Sequence, residues 1–172
     1  MAMQTDVKSA HINETGALYV GRTRLKGFVY SGNAAQAGNL AIFDSTSAAI
    51  TGSYARSTTA VTVTKASHGL ATGDIIGISF LPGSGVSATD GNYAITYVDA
   101  NSFTITDPNS GTVAGGTACV YVKGGGRWLT SLDTLTGAIA AQQFLVPGEG
   151  ILAANGLFAT LSYITFVTVF YG

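Results

Sequence analysis

Short runs of alternating apolar and polar residues recur along most of the chain, and this period of two predicts strands. Residues 61–64 read VTVT and residues 164–171 read ITFVTVFY, whereas residues 75–80 (IIGISF) are an apolar run of strand length. Clusters of Gly, Asn, Asp, Ser and Pro separate such runs, as turns do. No segment carries a convincing helical period. The pattern therefore predicts eleven or twelve short strands in an all-β fold of the sandwich or barrel type.

Three turns are predicted from their residue types. Residues 92–98 and 102–106 are β-rich runs about three residues apart, which predicts a hairpin. Residues 107–111 (DPNSG) predict a turn before a last inserted strand. Asn155-Gly156 lies between two apolar runs and predicts a tight type I′ hairpin.

Two changes of composition divide the chain. Residues 45–59 are dominated by Ser, Thr, Ala and Gly, and residues 124–126 are three consecutive glycines. A domain inserted into a surface loop of a host needs such an entry and exit. We predict an N-terminal arm over residues 1–15, a discontinuous jelly-roll-like β-sandwich base from residues 16–55 plus 127–172, an inserted small β-barrel over residues 60–123, and a glycine hinge over residues 124–126.

Charged residues make up only 10% of the chain and the net charge is −1, whereas roughly 25% is typical of soluble domains. A thinly charged surface suits a subunit that is covered in an assembly; the alternative is a β-domain whose surface uses Ser and Thr instead. Near-neutrality argues against a nucleic-acid binder. Neither a secretory leader nor an apolar stretch long enough for a membrane helix is recognised, so we expect no membrane partner.

No catalytic motif is found. His11 and His68 fall in different predicted units, Cys119 is the sole cysteine, and its apolar neighbours indicate a buried role. Most acidic residues stand in turn sequences, where a carboxylate bonds nearby backbone amides. We therefore expect no enzyme activity, no metal site and no cofactor.

One strand concentrates positive charge. Alternation places Arg22, Arg24 and Lys26 on one face, together with Phe28 and Tyr30 if the strand is regular. This face is either solvated or a docking surface for an acidic protein.

Aromatic residues of the inserted segment allow two interpretations. Phe80, Tyr93, Tyr97 and Phe103 either form the core of a small β-unit or present an exposed row of rings that binds carbohydrate.

The insert contains SHGLATGDIIGIS followed by DGNYAITYVDANSFTIT. These two segments resemble a small β-barrel repeat of tailed-phage structural proteins. The resemblance implies turn and core positions and no catalytic role. The matching residues include His68, Gly69, Leu70, Thr72, Gly73, Asp74, Gly91, Tyr93, Ile95, Thr96, Val98, Asp99, Phe103, Thr104 and Ile105.

The flanks carry three further motifs: residues 21–27 (GRTRLKG), 146–152 (VPGEGIL, with Pro147, Gly148, Glu149 and Gly150) and 167–172 (VTVFYG). They resemble short virion proteins of marine and cyanobacterial phages, in which the motifs lie in one continuous small domain.

This second resemblance implies a capsid decoration, or cement, protein on the outer surface of the virion. Its partners would be the major capsid protein and two further copies of itself in a homotrimer. The basic residues Arg22, Arg24 and Lys26 would dock on the capsid, and the barrel would project as a knob. The alternative is a tail- or fibre-associated adsorption or adaptor protein, which could bind glycans.

Overall fold

The computed structural model describes residues 7–33, 35–136 and 139–172, so residues 1–6 of the predicted arm lie outside it. In this part of the chain every regular element is a strand, and there are fourteen strands. The prediction of an all-β, sandwich-like fold is confirmed. None of the described elements is a helix long and apolar enough to cross a membrane.

The first seven strands are β1 (Lys8–Ile12), β2 (Gly16–Val20), β3 (Thr23–Gly32), β4 (Asn39–Asp44), β5 (Ile50–Thr64), β6 (Ile75–Phe80) and β7 (Gly91–Ala94). The other seven are β8 (Thr96–Asp99), β9 (Ser102–Val122), β10 (Arg127–Asp133), β11 (Ile139–Leu145), β12 (Ile151–Ala153), β13 (Gly156–Ser162) and β14 (Ile164–Tyr171).

These strands form three antiparallel sheets. The outer sheet has the order β1-β14-β3-β11, with β12 also paired to β3, and the middle sheet has the order β10-β4-β13-β2. The third sheet has the order β5-β9-β6-β7, with β8 beside β9. The outer and middle sheets enclose one apolar core, which makes them a sandwich. Its buried members include Leu18, Leu25, Phe28, Leu40, Ile42, Leu157, Val167 and Val169.

All six residues of β4 are buried, which requires cover on both faces of the middle sheet. Leu40 and Ile42 point into the sandwich core, whereas Ala41 and Phe43 pack with Val122 at the end of β9. Strand side chains alternate between faces, so the second face is covered by the third sheet. The third sheet therefore packs on the middle sheet beside Ala41 and Phe43 and against β10.

The third sheet runs from Ile50 to Val122 and has its own core. It begins ahead of residue 60, because β5 already pairs with β9 from Ile50↔Tyr121. The predicted hairpin near residue 100 is confirmed: β8 pairs with the start of β9, with Thr96 opposite Thr104. The buried core of the third sheet includes Tyr54, Val61, Val63, Ile76, Ile78, Phe80, Phe103, Cys119 and Tyr121.

The turn predicted at residues 107–111 is wrong, because β9 is continuous from Ser102 to Val122. The register of the β5–β9 pair shifts at two places, between Tyr54 and Arg56 and between Thr58 and Ala60. Proline is tolerated in a strand where the ladder is irregular. Pro108 lies at such a place, so the strand passes through it.

The hairpin predicted at Asn155-Gly156 is also wrong. β12 pairs with β3 in the outer sheet, whereas β13 pairs with β4 and β2 in the middle sheet. The turn is thus an arch that carries the chain from one layer of the sandwich to the other. A carboxylate from β4 makes this possible, as described below.

The regular alternation that would place Phe28 on the same face as the basic residues of β3 is not observed. Leu25 and Phe28 are three positions apart, so a regular strand would place them on opposite faces, yet both are buried in the sandwich core. The register with β14 shifts between Phe170 and Tyr171, opposite this segment. The resulting bulge turns Phe28 inward, whereas the Arg24 side chain remains 35% exposed.

A polar network joins the third sheet to the base. The Asp90 carboxylate accepts hydrogen bonds from Ser79 Oγ (2.7 Å), the Phe80 amide (2.7 Å) and Ser131 Oγ of β10. Burial raises the pKa of Asp90, and these hydrogen bonds offset only part of that rise. Close by, Asn39 Nδ2 donates to Ser79 Oγ at 3.3 Å. The three-glycine exit is therefore not the sole connection between the units.

The backbones of the two units also approach closely. Trp128 N donates to Asn92 Oδ1 at 2.8 Å, and Asn92 Nδ2 donates to Trp128 O at 3.2 Å. The side-chain amide of Asn92 thus replaces a neighbouring strand for β10. A Cβ atom on Gly77 of β6 would lie 2.1 Å from Trp128 N, so only glycine fits at this contact.

Candidate functional site

A cleft of about 600 Å³ on the base brings together residues from all three flanking motifs. Its floor and walls carry three cationic side chains and one carboxylate. The lining residues are Val7, Arg22, Thr23, Arg24, Lys26, Glu149, Leu152 and Gly172.

The cleft exists because two strands share one edge of β3. β11 pairs with residues 27–32 of β3, and β12 pairs with residues 23–25. Between them, residues 146–150 loop out opposite Lys26, whose carbonyl accepts a hydrogen bond from Val146 N at 2.9 Å. Lys26 and Glu149 therefore meet at the interruption, next to Arg24.

Gly150 is required for this loop. Its φ is +83°, and a Cβ atom there would lie 2.4 Å from the carbonyl oxygen of Leu25. A residue with a side chain would thus meet both backbone strain and a clash with β3. The sequence Pro147-Gly148-Glu149-Gly150 is explained by the need to leave β3 and return to it within a few residues.

The three cations differ in how they are held. Arg24 Nη2 lies 3.3 Å from Glu149 Oε2, and Lys26 Nζ donates to the Glu149 carbonyl at 2.8 Å. Arg22 is exposed and makes no ion pair or hydrogen bond with any other described residue. The Glu149 side chain is 84% exposed, and an exposed ion pair contributes only about 0–1 kcal/mol. An acidic partner could therefore displace Glu149 from Arg24 at little cost.

The chemistry of this cleft is recognition of negative charge. It offers guanidinium and ammonium donors, which bind carboxylates and phosphates well. In the described ranges, no three His, Cys, Asp or Glu side chains lie close enough together to hold a metal ion.

The barrel-motif residues lie elsewhere, in tight turns of the third sheet's unit. His68 is buried; its Nε2 lies 2.7 Å from the Asp99 carbonyl, and its Nδ1 accepts from Leu70 N at 3.1 Å. Both ring nitrogens are thereby satisfied within the fold. Asp74 Oδ2 accepts a hydrogen bond from Ala71 N at 2.8 Å. This turn also contains Gly69 and Gly73, both of which have positive φ values.

The aromatic residues of the insert do not form an exposed row. Phe80 and Phe103 are fully buried. Tyr93 is half-buried beside Gly91, and its hydroxyl donates to the Thr89 carbonyl at 2.6 Å. Only Tyr97 of the four is exposed, at 46%, and a single ring is a small surface for stacking a sugar.

Asp44 shows how a carboxylate shapes the base. Its side chain is fully buried and accepts hydrogen bonds from the amides of Ala154, Asn155 and Gly156, at 2.9, 2.7 and 3.2 Å. Arg127 Nη2 lies 3.1 Å away. Burial alone would raise the pKa of Asp44, but these hydrogen bonds outweigh it and hold the pKa below its usual value. Asp44 therefore stabilises the arch between β12 and β13.

This arrangement predicts a pH response. Because the pKa of Asp44 is lowered in the folded state, its contribution is complete above the unfolded pKa of about 4 and is lost as the pH falls through the folded value. We expect Asp44→Asn to lower the free energy of unfolding at pH 7 by about 1–3 kcal/mol. Urea denaturation between pH 2 and pH 7 should also show a weaker acid-induced loss of stability than in the unmodified chain.

Asp74→Asn is the control, because Asp74 is exposed and accepts one amide hydrogen bond. If Asp44→Asn retained the full acid response of the unmodified chain, the assignment of Asp44 would be wrong.

A second buried acid escaped sequence reasoning. The side chains of Arg56 and Asp107 are fully buried, with Arg56 Nη2 3.4 Å from Asp107 Oδ1. Arg56 also donates to the carbonyls of Val86, Ser87 and Asn109. Nothing in the local sequence distinguishes Arg56 from a surface arginine, since all of its partners except the Thr58 carbonyl lie 30 to 53 positions away.

The structure thus brings Arg24 and Lys26 together with Glu149 and Gly150, which sequence analysis had treated as a separate motif. Leu152, which belongs to the same motif as Glu149 and Gly150, lies opposite Arg24 through the pairing of β12 with β3. The structure does not bring these residues together with the barrel-motif residues. Comparison with protein-family models and with curated proteins finds no match for the chain.

Proposed function

We propose that this chain is a structural virion protein that binds the outside of a phage capsid and stabilises it. The observation that carries the proposal is the basic cleft. Three of the chain's eight basic residues converge there, on a protein that is otherwise thinly charged. Arg22 in particular is an exposed cation without a partner among the described residues.

The partner would be an acidic surface of the major capsid protein. Arg22 would make a new ion pair there, and Arg24 would exchange Glu149 for a capsid carboxylate. Many copies of a weak contact can stabilise a shell when each copy bridges neighbouring subunits. The resemblance of the flanking motifs to phage virion proteins supports this choice of partner.

The inserted unit would be displayed away from the capsid. Its packing on the middle sheet, through Gly77 and Asn92, favours a rigidly held knob over a freely hinged one. The cleft lies on β3 in the outer sheet, and the third sheet covers the other side of the sandwich. Docking through the cleft would therefore leave the knob facing outward.

Charge reversal tests the proposal. We expect Arg22→Glu to weaken binding to capsids that lack the protein by about tenfold, because an attraction of up to about 1 kcal/mol becomes a repulsion of similar size. The affinity of the variant should also depend less on salt concentration. Co-sedimentation of purified protein with such capsids at several salt concentrations measures both effects.

Lys65→Glu is the matched control, because it makes the same charge change in the inserted unit, directly after β5 and outside the cleft. Equal capsid affinity and equal salt dependence for Arg22→Glu and the unmodified chain would show that the basic cleft is only a solvated surface.

A further inference from the structure

The sandwich has five edge strands, because β11 and β12 share one edge of β3, and four of the five are accounted for. The short β12 is contacted by Arg127, whose Nη2 donates to the Leu152 carbonyl at 3.4 Å. At one side, β1 of the outer sheet lies beside β2 of the middle sheet. At the other side, β10 of the middle sheet packs against β6 and β7 of the third sheet. The remaining edge strand, β11, pairs with β3 and has no second strand partner among the described residues. One edge of the outer sheet is therefore open.

The hydrogen-bonding phase of β11 follows from one bond. Val146 N donates to the Lys26 carbonyl, and hydrogen-bonded pairs alternate along an antiparallel ladder. With the register of Phe144 opposite Phe28 and Gln142 opposite Tyr30, these residues bond inward to β3. The backbone N–H and C=O groups of Gln143 and Leu145 must then point outward, away from β3.

This open edge carries neither a charge nor a proline, although β11 has one register shift, between Ile139 and Gln142. Natural edge strands carry a charge, most often Lys, or an interrupting Pro. The chain has no charged residue between Asp133 and Glu149, an interval that contains all of β11. Leu145 is 65% exposed and Phe144 is 47% exposed. By contrast, β1 carries Lys8, and β10 carries Arg127 and Asp133.

We propose that β11 is a self-association site, where β11 of a second copy of this chain pairs with it in antiparallel orientation about a two-fold axis. The outward groups of Gln143 in both copies would bond each other at the axis. This register places Leu145 opposite Ala141 of the second copy, at the register shift between Ile139 and Gln142, so that a large side chain meets a small one on each side. The two outer sheets would become one continuous sheet.

A second copy fits this edge because the strand is complementary to itself. An uncharged strand brings no like charges together at a two-fold axis, where identical residues meet. The other described edges of the sandwich carry charges or are covered, so the equivalent unprotected edge is found on another β11. The pairing is isologous and gives a dimer, which differs from the trimer implied by the family resemblance. It does not depend on capsid binding, which uses the cleft.

Size-exclusion chromatography with light scattering tests the proposal on the full chain. We expect a mass of twice 17.5 kDa at a concentration of about 100 µM. At this concentration most of the chain would be dimeric if the dissociation constant is on the order of micromolar. Hydrogen exchange supplies a readout without mutation. The amides of Gln143 and Leu145 make no bond to β3, so they should be protected only when the chain is concentrated.

Two variants separate self-pairing from folding. Gln143→Pro removes an outward N–H and leaves the ladder to β3 intact, a position where edge strands tolerate proline. Leu145→Lys keeps the backbone and adds the charge that protects an edge. Both should be monomeric with circular dichroism spectra like that of the unmodified chain. Val20→Lys is the control, because Val20 is an equally exposed residue of another edge strand, and it should remain dimeric.

A monomeric unmodified chain at this concentration would overturn the proposal. So would a trimer, or a dimer that persists in Leu145→Lys.

Discussion

Arg56→Met is expected to lower the free energy of unfolding by about 3–5 kcal/mol, the cost of leaving one member of a buried ion pair without its partner. The Asp107 carboxylate would keep its hydrogen bonds from Thr89 N at 2.5 Å and Asn109 N at 2.7 Å. Its negative charge, however, would face no cation in a site without access to water. The carbonyls of Val86 and Ser87 would also lose their donor. Urea denaturation followed by circular dichroism measures the loss.

Arg127→Met is the matched control for this prediction. Its guanidinium also faces a buried carboxylate, that of Asp44, but its side chain is 50% exposed. Water can replace it, and Asp44 retains three amide donors. We expect a loss of about 1 kcal/mol or less. Equal losses for the two variants would show that burial of the Arg56 pair does not govern its contribution.

Gly77→Ala is the second substitution with a large expected effect. The added Cβ would lie 2.1 Å from Trp128 N and 2.5 Å from the Arg127 carbonyl carbon, so the backbone of β10 must move. Overpacking of this kind costs about 1–3 kcal/mol. Because Trp128 N also bonds Asn92, the displacement would loosen the inserted unit from the base. Limited proteolysis should then cut near residues 123–127 faster than in the unmodified chain.

Gly115→Ala tests whether the site, and not the loss of a strand glycine, causes the effect. At Gly115 the nearest heavy atom to an added Cβ is Cβ of Ala55, at 3.8 Å, an ordinary contact. This variant should keep the stability and the protease resistance of the unmodified chain. If Gly77→Ala behaved in the same way, the two units would not be packed as closely as described.

Local sequence pattern was sufficient for the class of fold and for several strands. The VTVT, IIGISF and ITFVTVFY runs all lie within strands. VTVT alternates between buried and exposed residues, as its period predicts, whereas IIGISF is an apolar run with five consecutive buried residues. Local pattern failed where the strand that pairs with a segment is distant in the sequence. Asn155-Gly156 has the residues of a hairpin turn, but β12 and β13 find better partners in different sheets, and Asp44 supplies the acceptors for the arch.

The residues of the candidate site were likewise predictable from local pattern only in part. A run of basic residues at alternate positions was enough to single out Arg22, Arg24 and Lys26. The sequence could not show that Glu149, more than 120 positions away, lies against two of them, because this requires β11 and β12 to share the edge of β3. Nor could alternation predict that Phe28 turns inward, since a bulge shifts the period by one residue.

The proposed function is tested most directly by where the chain is found in the virion and in how many copies. Under the proposal a phage encodes the chain, and its particles would be separated into tail-less heads and tails. The amount of the chain would then be compared with that of the major capsid protein on a quantitative gel. Capsid decoration predicts many copies per particle, retained by the tail-less heads. A handful of copies that leave with the tails would contradict it and would favour an adsorption or adaptor role.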